Sequence, residues 1–370
     1  MINKERELDL FLSLVKIDSE SGNERAMCER LQELASEIEG AEIRTEEAGD
    51  FYTTNGKNVI VWIKGSLPGE PVLLSSHMDT VVPGNGIRPV VGEDGIVRSS
   101  GDTILAADDK AGISEIFEAI RTIKEKGLPH RDIEIIFSVG EEQGLYGAKS
   151  IDVSKLHARQ GYILDTGGTP GRVITCQPGQ YSFTAKIIGK RAHAGNQPEA
   201  GVSAIQAMAK AIAGMKLLRV DEITTCNIGS IEAKFPTNIV PDECVIKGEV
   251  RSRDKERLDA QERHVYDCLK KAADEAGASL EYEKTVKYLA YKMEDDVPVV
   301  KEFLDALKRQ GVEPCVEGAG GGSDANIYNQ KGMQCIVVAT GMRGGHALDE
   351  HLYIEEMYKA TEILIDVLTH

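Results

Sequence analysis

His77, Asp108, Glu142, Asp165 and His346 are all metal-ligand residue types, and each lies just beyond a short apolar run. The runs cover 72–74, 104–107, 133–139, 162–164 and 336–339, and most of them read as buried strands. In open α/β sheets, ligands collect outside the carboxyl ends of strands, so residues scattered along the chain can converge on one crevice. Two imidazoles and three carboxylates suit zinc, manganese or cobalt better than copper or an iron–sulfur cluster. Such a set predicts a metal-dependent hydrolase.

Local spacing refines the set. In Ser75-Ser76-His77-Met78-Asp79-Thr80, residues two apart on extended backbone share a side. His77 can then offer one ring nitrogen to a metal while Asp79 holds the other N–H. Asp108-Asp109-Lys110 puts two acids at a helix start, where an ordinary N-cap is the competing reading. In Glu141-Glu142, one carboxylate can bind metal while its neighbour stays available as a base.

The elements that must position these groups follow from periodicity. Leu8, Phe11, Leu12 and Val15 recur at helical spacing, and 22–38 continues as a second amphipathic helix. Strands and helices alternate up to Asp165. Ile113, Ile116, Phe117 and Ile120 form the face of a helix after Asp108, which predicts a strand–loop–helix unit. Near Pro178 the order changes to strand 181–188, helix 202–215 with Ile205, Met208 and Ile212 inside, strands 226–233 and 243–251, helix 255–275 and strand 279–288. This β-α-β-β-α-β order predicts a ferredoxin-like α+β module inserted into a mixed-sheet α/β domain. The expected boundaries are 1–177 and 294–370 for the larger domain and 178–293 for the insertion.

Composition excludes several classes. A chain of 370 residues exceeds the roughly 100–200 residues of one domain. Its net charge of −17, spread along the sequence, repels phosphate backbones, so no nucleic-acid partner is expected. Seven cysteines without a Cys-x-x-Cys pair suggest buried thiols in a reducing cytoplasm. The N-terminal stretch has charges among its apolar residues, unlike a secretory signal. No run approaches the ~18 apolar residues of a membrane span.

Taken together, His77-Met78-Asp79, Ala107-Asp108-Asp109-Lys110-Ala111-Gly112, Gly140-Glu141-Glu142, Leu164-Asp165, Arg191-Ala192-His193-Ala194-Gly195 and His346-Ala347-Leu348-Asp349-Glu350 resemble the ordered motifs of the M20 family of dinuclear zinc exopeptidases and deacylases. The Ala-Asp-Asp-Lys-Ala-Gly form is most similar to its peptidase T (tripeptidase) branch. The resemblance implies a zinc-exopeptidase catalytic domain with an inserted lid and dimerisation domain. It implies that Asp108 bridges two divalent ions, most readily Zn2+ with Co2+ or Mn2+ as substitutes. His77 and Asp165 complete one site, and Glu142 and His346 the other. His346 is preferred to His351 because it heads the His-x-x-Asp-Glu pattern.

By the same resemblance, Asp79 orients His77, and Glu141 is the general base for a metal-bridged water. A cis peptide follows the bridging aspartate. His193 steadies the oxyanion, often from a neighbouring subunit's lid, which implies a homodimer. Asn238 and Arg251 meet substrate, as does the loop of Gly321, Gly322 and Ser323; on its own chemistry, Arg251 could instead pair with Asp254. The expected activity is removal of the N-terminal residue from short peptides. The same scaffold supports carboxypeptidases and N-acyl amino acid amidohydrolases. A non-catalytic binding or assembly protein is disfavoured, because a scaffold has no use for a free base beside a metal pair.

Overall fold

The computed structural model describes residues 2–370, which form two compact units. One contains the residues up to Cys176, Met293–Gly318 and Ser323–His370; the other contains Gln177–Lys292 and Ala319–Gly322.

The first unit is built on a mixed sheet. Its strands run in the order Ala41–Glu46, Asn58–Ile63, Ile133–Ser138, Val72–His77, Gln160–Thr166, Gln334–Ala339 and Arg172–Gln177. The four central strands, from Ile133–Ser138 to Gln334–Ala339, are mutually parallel, and antiparallel partners flank them. Every residue of Val72–His77 and Ile133–Ser138 is buried. That pattern belongs to strands covered on both faces, which read as continuous apolar runs. The core that covers them draws on Leu31, Phe117, Phe303 and Leu364 from surrounding helices. Phe117 stacks on Phe137 with ring centroids 5.3 Å apart.

Parallel register decides what meets at the sheet's end. Leu74 pairs with Tyr162, so the third residue beyond each, His77 and Asp165, emerges at one level. His77 itself pairs with Ser138, which puts Glu141 and Glu142 just past the same edge.

The 104–107 run departs from expectation. It is buried but not a strand, and helix Ala107–Glu125 begins directly from it. Asp108 therefore lies in the helix's first turn, with φ −84° and ψ 99°. Ala106 is left-handed at φ 61°, and the Asp108–Asp109 peptide is cis, as the family resemblance implies. Apolar content mimics a strand here because the segment is buried, while its amides turn away from any ladder.

The second unit has its long strands in the order Thr224–Glu232, Glu243–Ser252, Gly179–Ile188 and Ser279–Tyr288, all antiparallel. Numbered along the chain this is 2-3-1-4, the ferredoxin-like arrangement. Burial alternates along Gly179–Ile188, so one face packs beneath helices Ala204–Gly214 and Lys255–Ala276. On the first helix Met208 is buried and Ile212 packs against the core as expected, and Ile205 alone departs. Ala204, Ala207, Met208 and Ala211 are buried, whereas Ile205 is 41% exposed. Small alanines allow the helix to approach the sheet closely, and Ile205 does not fit that seam.

Candidate metal centre

Strand ends and three loops assemble the site. His77 ends its strand, 2% exposed, with Nε2 3.0 Å from Asp108 Oδ1 and 3.9 Å from Asp165 Oδ1. His346 Nε2 lies 3.4 Å from Asp108 Oδ2 and 2.8 Å from Glu142 Oε1. Ligand-capable atoms of His77, Asp108 and Asp165 lie within 4.8 Å of one another, as do those of Asp108, Glu142 and His346. Asp108 is common to both groups. A third group joins His77, Glu141 and Glu142 on the same criterion.

Asp79 acts differently from the expectation drawn from the His-x-Asp spacing. Its backbone carbonyl is the nearer partner of His77 Nδ1, at 2.9 Å, against 3.5 Å for its carboxylate. Either acceptor leaves Nε2 facing Asp108, the tautomer a metal ligand needs. The Asp79 carboxylate instead accepts the amides of Glu141 at 3.0 Å and Glu142 at 3.3 Å, and the Ser21 hydroxyl at 2.7 Å. It thus ties the two glutamates to the strand end that bears His77. The second acid of the Asp108-Asp109 pair points elsewhere, where its carboxylate accepts from the Ser76 hydroxyl and the His77 amide.

Electrostatics point to a cation. Burial, joined by the charge of Asp165, pushes Glu141 well above the usual carboxylate range. Burial and then Asp108 do the same to Asp165. At His77, burial alone would lower the pKa, but Asp108, Asp79, Glu141 and Asp165 outweigh it and raise the value well above normal. Asp108 and Glu142 raise His346 to about 10. The common cause is a concentration of negative charge in one poorly solvated crevice, which a divalent ion would neutralise.

The donors themselves fit such an ion. Glu142 Oε1 is buried and accepts no hydrogen bond among the described residues, although His346 Nε2 is 2.8 Å away. Once a cation displaces the imidazole proton, both atoms would offer lone pairs to one point, as ligands of one metal do.

The His346 loop is shaped for contact with Asp108. Gly344 and His346 have φ of 69°, and a Cβ on Gly345 would lie 2.8 Å from Asp108 Oδ2. Gly345→Ala is therefore expected to cost about 10- to 100-fold in turnover, since small displacements of reacting groups carry such penalties. Peptide hydrolysis and thermal unfolding measured together check this, with unfolding expected to change little. His351 faces the Asp349 carbonyl at 2.8 Å, not Asp108. His130 is buried, with Nδ1 2.7 Å from the Arg131 carbonyl.

The remaining candidates divide between the units. Ser323, 1% exposed, caps helix Asp324–Gln330 by accepting from the Ala325 amide at 3.2 Å. In the second unit, His193 is exposed on a two-residue strand paired with Ile239, and its Nδ1 accepts the amides of Gly195 and Asn196 at 3.1 Å. Asn238 adjoins it, its carbonyl accepting from Ala194 at 2.9 Å. Arg251 pairs in a bidentate way with Glu249, at 2.8 and 3.1 Å. Asp254, the alternative partner, instead caps helix Lys255–Ala276. Gly322 has the Tyr288 ring within 2.4 Å of where a Cβ would be, whereas Gly321 is open.

Glu350 was part of a quoted motif but carried no expected role. Its buried carboxylate accepts the amides of Leu105 and Ala106 at 2.8 Å and of Asp108 at 2.9 Å. Nothing in its spacing announces those distant donors.

Fold and site together define an α/β metallopeptidase. Residues 73–370 match the profile of peptidase family M20/M25/M40, and the chain belongs to that family. It is accordingly a hydrolase of peptide bonds, in a metal-dependent family. The Bacillus subtilis (strain 168) protein YqjE is 41% identical over 368 residues, spanning 100% of this chain and 99% of the relative. The crystal structure of aminopeptidase PepT from Bacillus cereus ATCC 10987 superposes with a TM-score of 0.92 at 40% identity, covering 100% of this chain and 98% of that one. A tripeptidase from Staphylococcus aureus Mu50 gives a TM-score of 0.95 at 38% identity with the same coverage. No described helix is long and apolar enough to cross a membrane.

Proposed function

We propose that this protein is a dinuclear metal-dependent aminopeptidase that releases the N-terminal residue of short peptides, tripeptides foremost. The observation that carries the metal centre is the pair of ligand groups that share Asp108. His77, Asp108 and Asp165 hold one divalent ion, and Asp108, Glu142 and His346 hold the other. Ions of the zinc type, with cobalt or manganese as substitutes, supply the positive charge that polarises a scissile carbonyl and acidifies water.

The chain's own groups do the rest. Asp79 holds the backbone of Glu141 and Glu142 in place through its carboxylate. Glu141, 8% exposed, accepts a proton from the attacking water and delivers it to the leaving amine. Its buried setting favours protonation, which brings its basicity closer to that task. The second unit serves as lid and dimerisation domain, with His193 stabilising the oxyanion and Asn238 and Arg251 contacting substrate; Gly321, Gly322 and Ser323 contact it as well. The enzyme works in the cytoplasm as a homodimer. The aminopeptidase and tripeptidase names of the two structural relatives support the choice of substrate.

Chelation is expected to abolish hydrolysis almost completely, and added Zn2+, Co2+ or Mn2+ to restore it. The reconstituted enzyme should then be compared on a free tripeptide, an N-acylated dipeptide and an N-acyl amino acid. Turnover of the free tripeptide supports the reading. Turnover of the blocked substrates alone replaces it with a carboxypeptidase or amidohydrolase.

A further inference from the structure

We propose that Glu350 is a positioning residue that seats the Asp108 loop against the His346 loop and thereby creates the Asp108–Glu142–His346 half of the metal centre. The inference rests on the dinuclear reading above.

The amides it binds need a partner. Residues 104–107 are buried yet belong to no strand, and they lead into a helix whose first N–H groups have no intrahelical acceptor. Left-handed Ala106 and non-helical Asp108 turn the amides of Leu105, Ala106 and Asp108 towards one spot. The Glu350 carboxylate fills it, Oε2 accepting from Leu105 and Ala106 and Oε1 from Asp108. Hydrogen bonds to an ionised acceptor are stronger than neutral ones, and three of them counter part of the cost of burying a carboxylate that is 1% exposed. The partners are 242 to 245 residues apart in sequence.

The clamp acts on two ligands at once. On one side it holds the amide of Asp108 itself. On the other, Glu350 is tied to His346 through two successive turns, Glu350 N–H to the Ala347 carbonyl and Ala347 N–H to the Gly344 carbonyl, each 3.1 Å. Fixing Glu350 on the 105–108 amides therefore fixes where His346 stands relative to Asp108. His77 and Asp165 are positioned differently. They leave adjacent parallel strands whose ladder holds them without Glu350. The two halves of the centre should thus differ in their dependence on this residue.

The test titrates metal-free protein with Zn2+ against a competing chelator, alongside Glu350→Gln and Glu350→Asp. Glutamine keeps the shape but sets an NH2 group against at least one amide N–H. Aspartate is one methylene too short to reach all three. Wild type is expected to take up two equivalents tightly. Each variant is expected to weaken one binding step by about 10- to 100-fold, the usual scale for losing a group that orients a ligand, with the other step changed far less. Excess Zn2+ should then recover part of the lost kcat. A general loss of folding would instead weaken both steps together, and thermal unfolding of the metal-free forms reads that out separately. Two unchanged steps in both variants, or equal weakening of both steps, overturns the inference while leaving the dinuclear reading intact. Uptake of a single equivalent by wild type overturns that reading and the inference with it.

Discussion

Glu141→Ala is expected to lower kcat by about 10²- to 10⁴-fold, the usual contribution of a general base, while the protein retains its full metal content. The experiment separates two roles that geometry leaves adjacent. Glu141 and Glu142 are consecutive, both are tied to Asp79 through their amides, and both fall in a ligand group with His77. Only Glu142 also meets His346, at 2.8 Å. That contact is why we propose Glu142 as the ligand and Glu141 as the base. The assignment is overturned if the Glu141 variant loses a metal equivalent, or if turnover is unchanged. Because mutated catalytic groups act as a unit, the measured loss is a difference and not a share of the total rate.

The largest expected effect on stability lies behind the site. Glu115, on helix Ala107–Glu125, is 1% exposed, and neither carboxylate oxygen has a hydrogen-bond partner among the described residues. The groups that face it are also acids. Burial, and then the charges of Glu7 on the first helix and Asp109 on its own, push its pKa well above the usual range. In the unfolded chain the carboxyl ionises near about 4.3. Between that value and the raised folded one, the native state keeps a proton that the unfolded state has released. Stability from this group is fully present below the unfolded value and is lost as pH rises towards the folded one.

Glu115→Gln imitates the neutral acid and cannot ionise. Variant and wild type should be similarly stable near about pH 4, whereas at about pH 8 the variant should be more stable by about 1–3 kcal/mol, the scale for an uncompensated buried polar group. Denaturant unfolding at both pH values measures the difference. A variant no more stable than wild type at the higher pH would mean that Glu115 has found compensation inside the folded protein.

Much of this was legible along the chain because it depends on local period and residue chemistry. The run 133–139 was long and apolar enough to mark a strand covered on both faces, and the strand observed is Ile133–Ser138. The strand expected at 181–188 is Gly179–Ile188, and its alternating burial leaves one face covered. The five proposed ligands stood out because their side chains bind metals and strand ends converge. Where period was ambiguous, the reading failed. Four apolar residues at 104–107 look alike whether they are a strand or a buried turn, and on helix Ala204–Gly214 the small alanines take the place at the seam expected for Ile205.

By itself, then, the sequence determined the family, the mixed-sheet and ferredoxin-like architectures, and the residue types available for a metal centre, since these follow from short-range patterning and motif order. Tertiary structure alone decided that Asp79 steadies the two glutamates chiefly through its carboxylate, that Glu350 reaches the amides beside Asp108, and that Glu115 has acids for neighbours. Each of these depends on which distant groups share a buried, weakly screening environment, and no local pattern records which groups those will be.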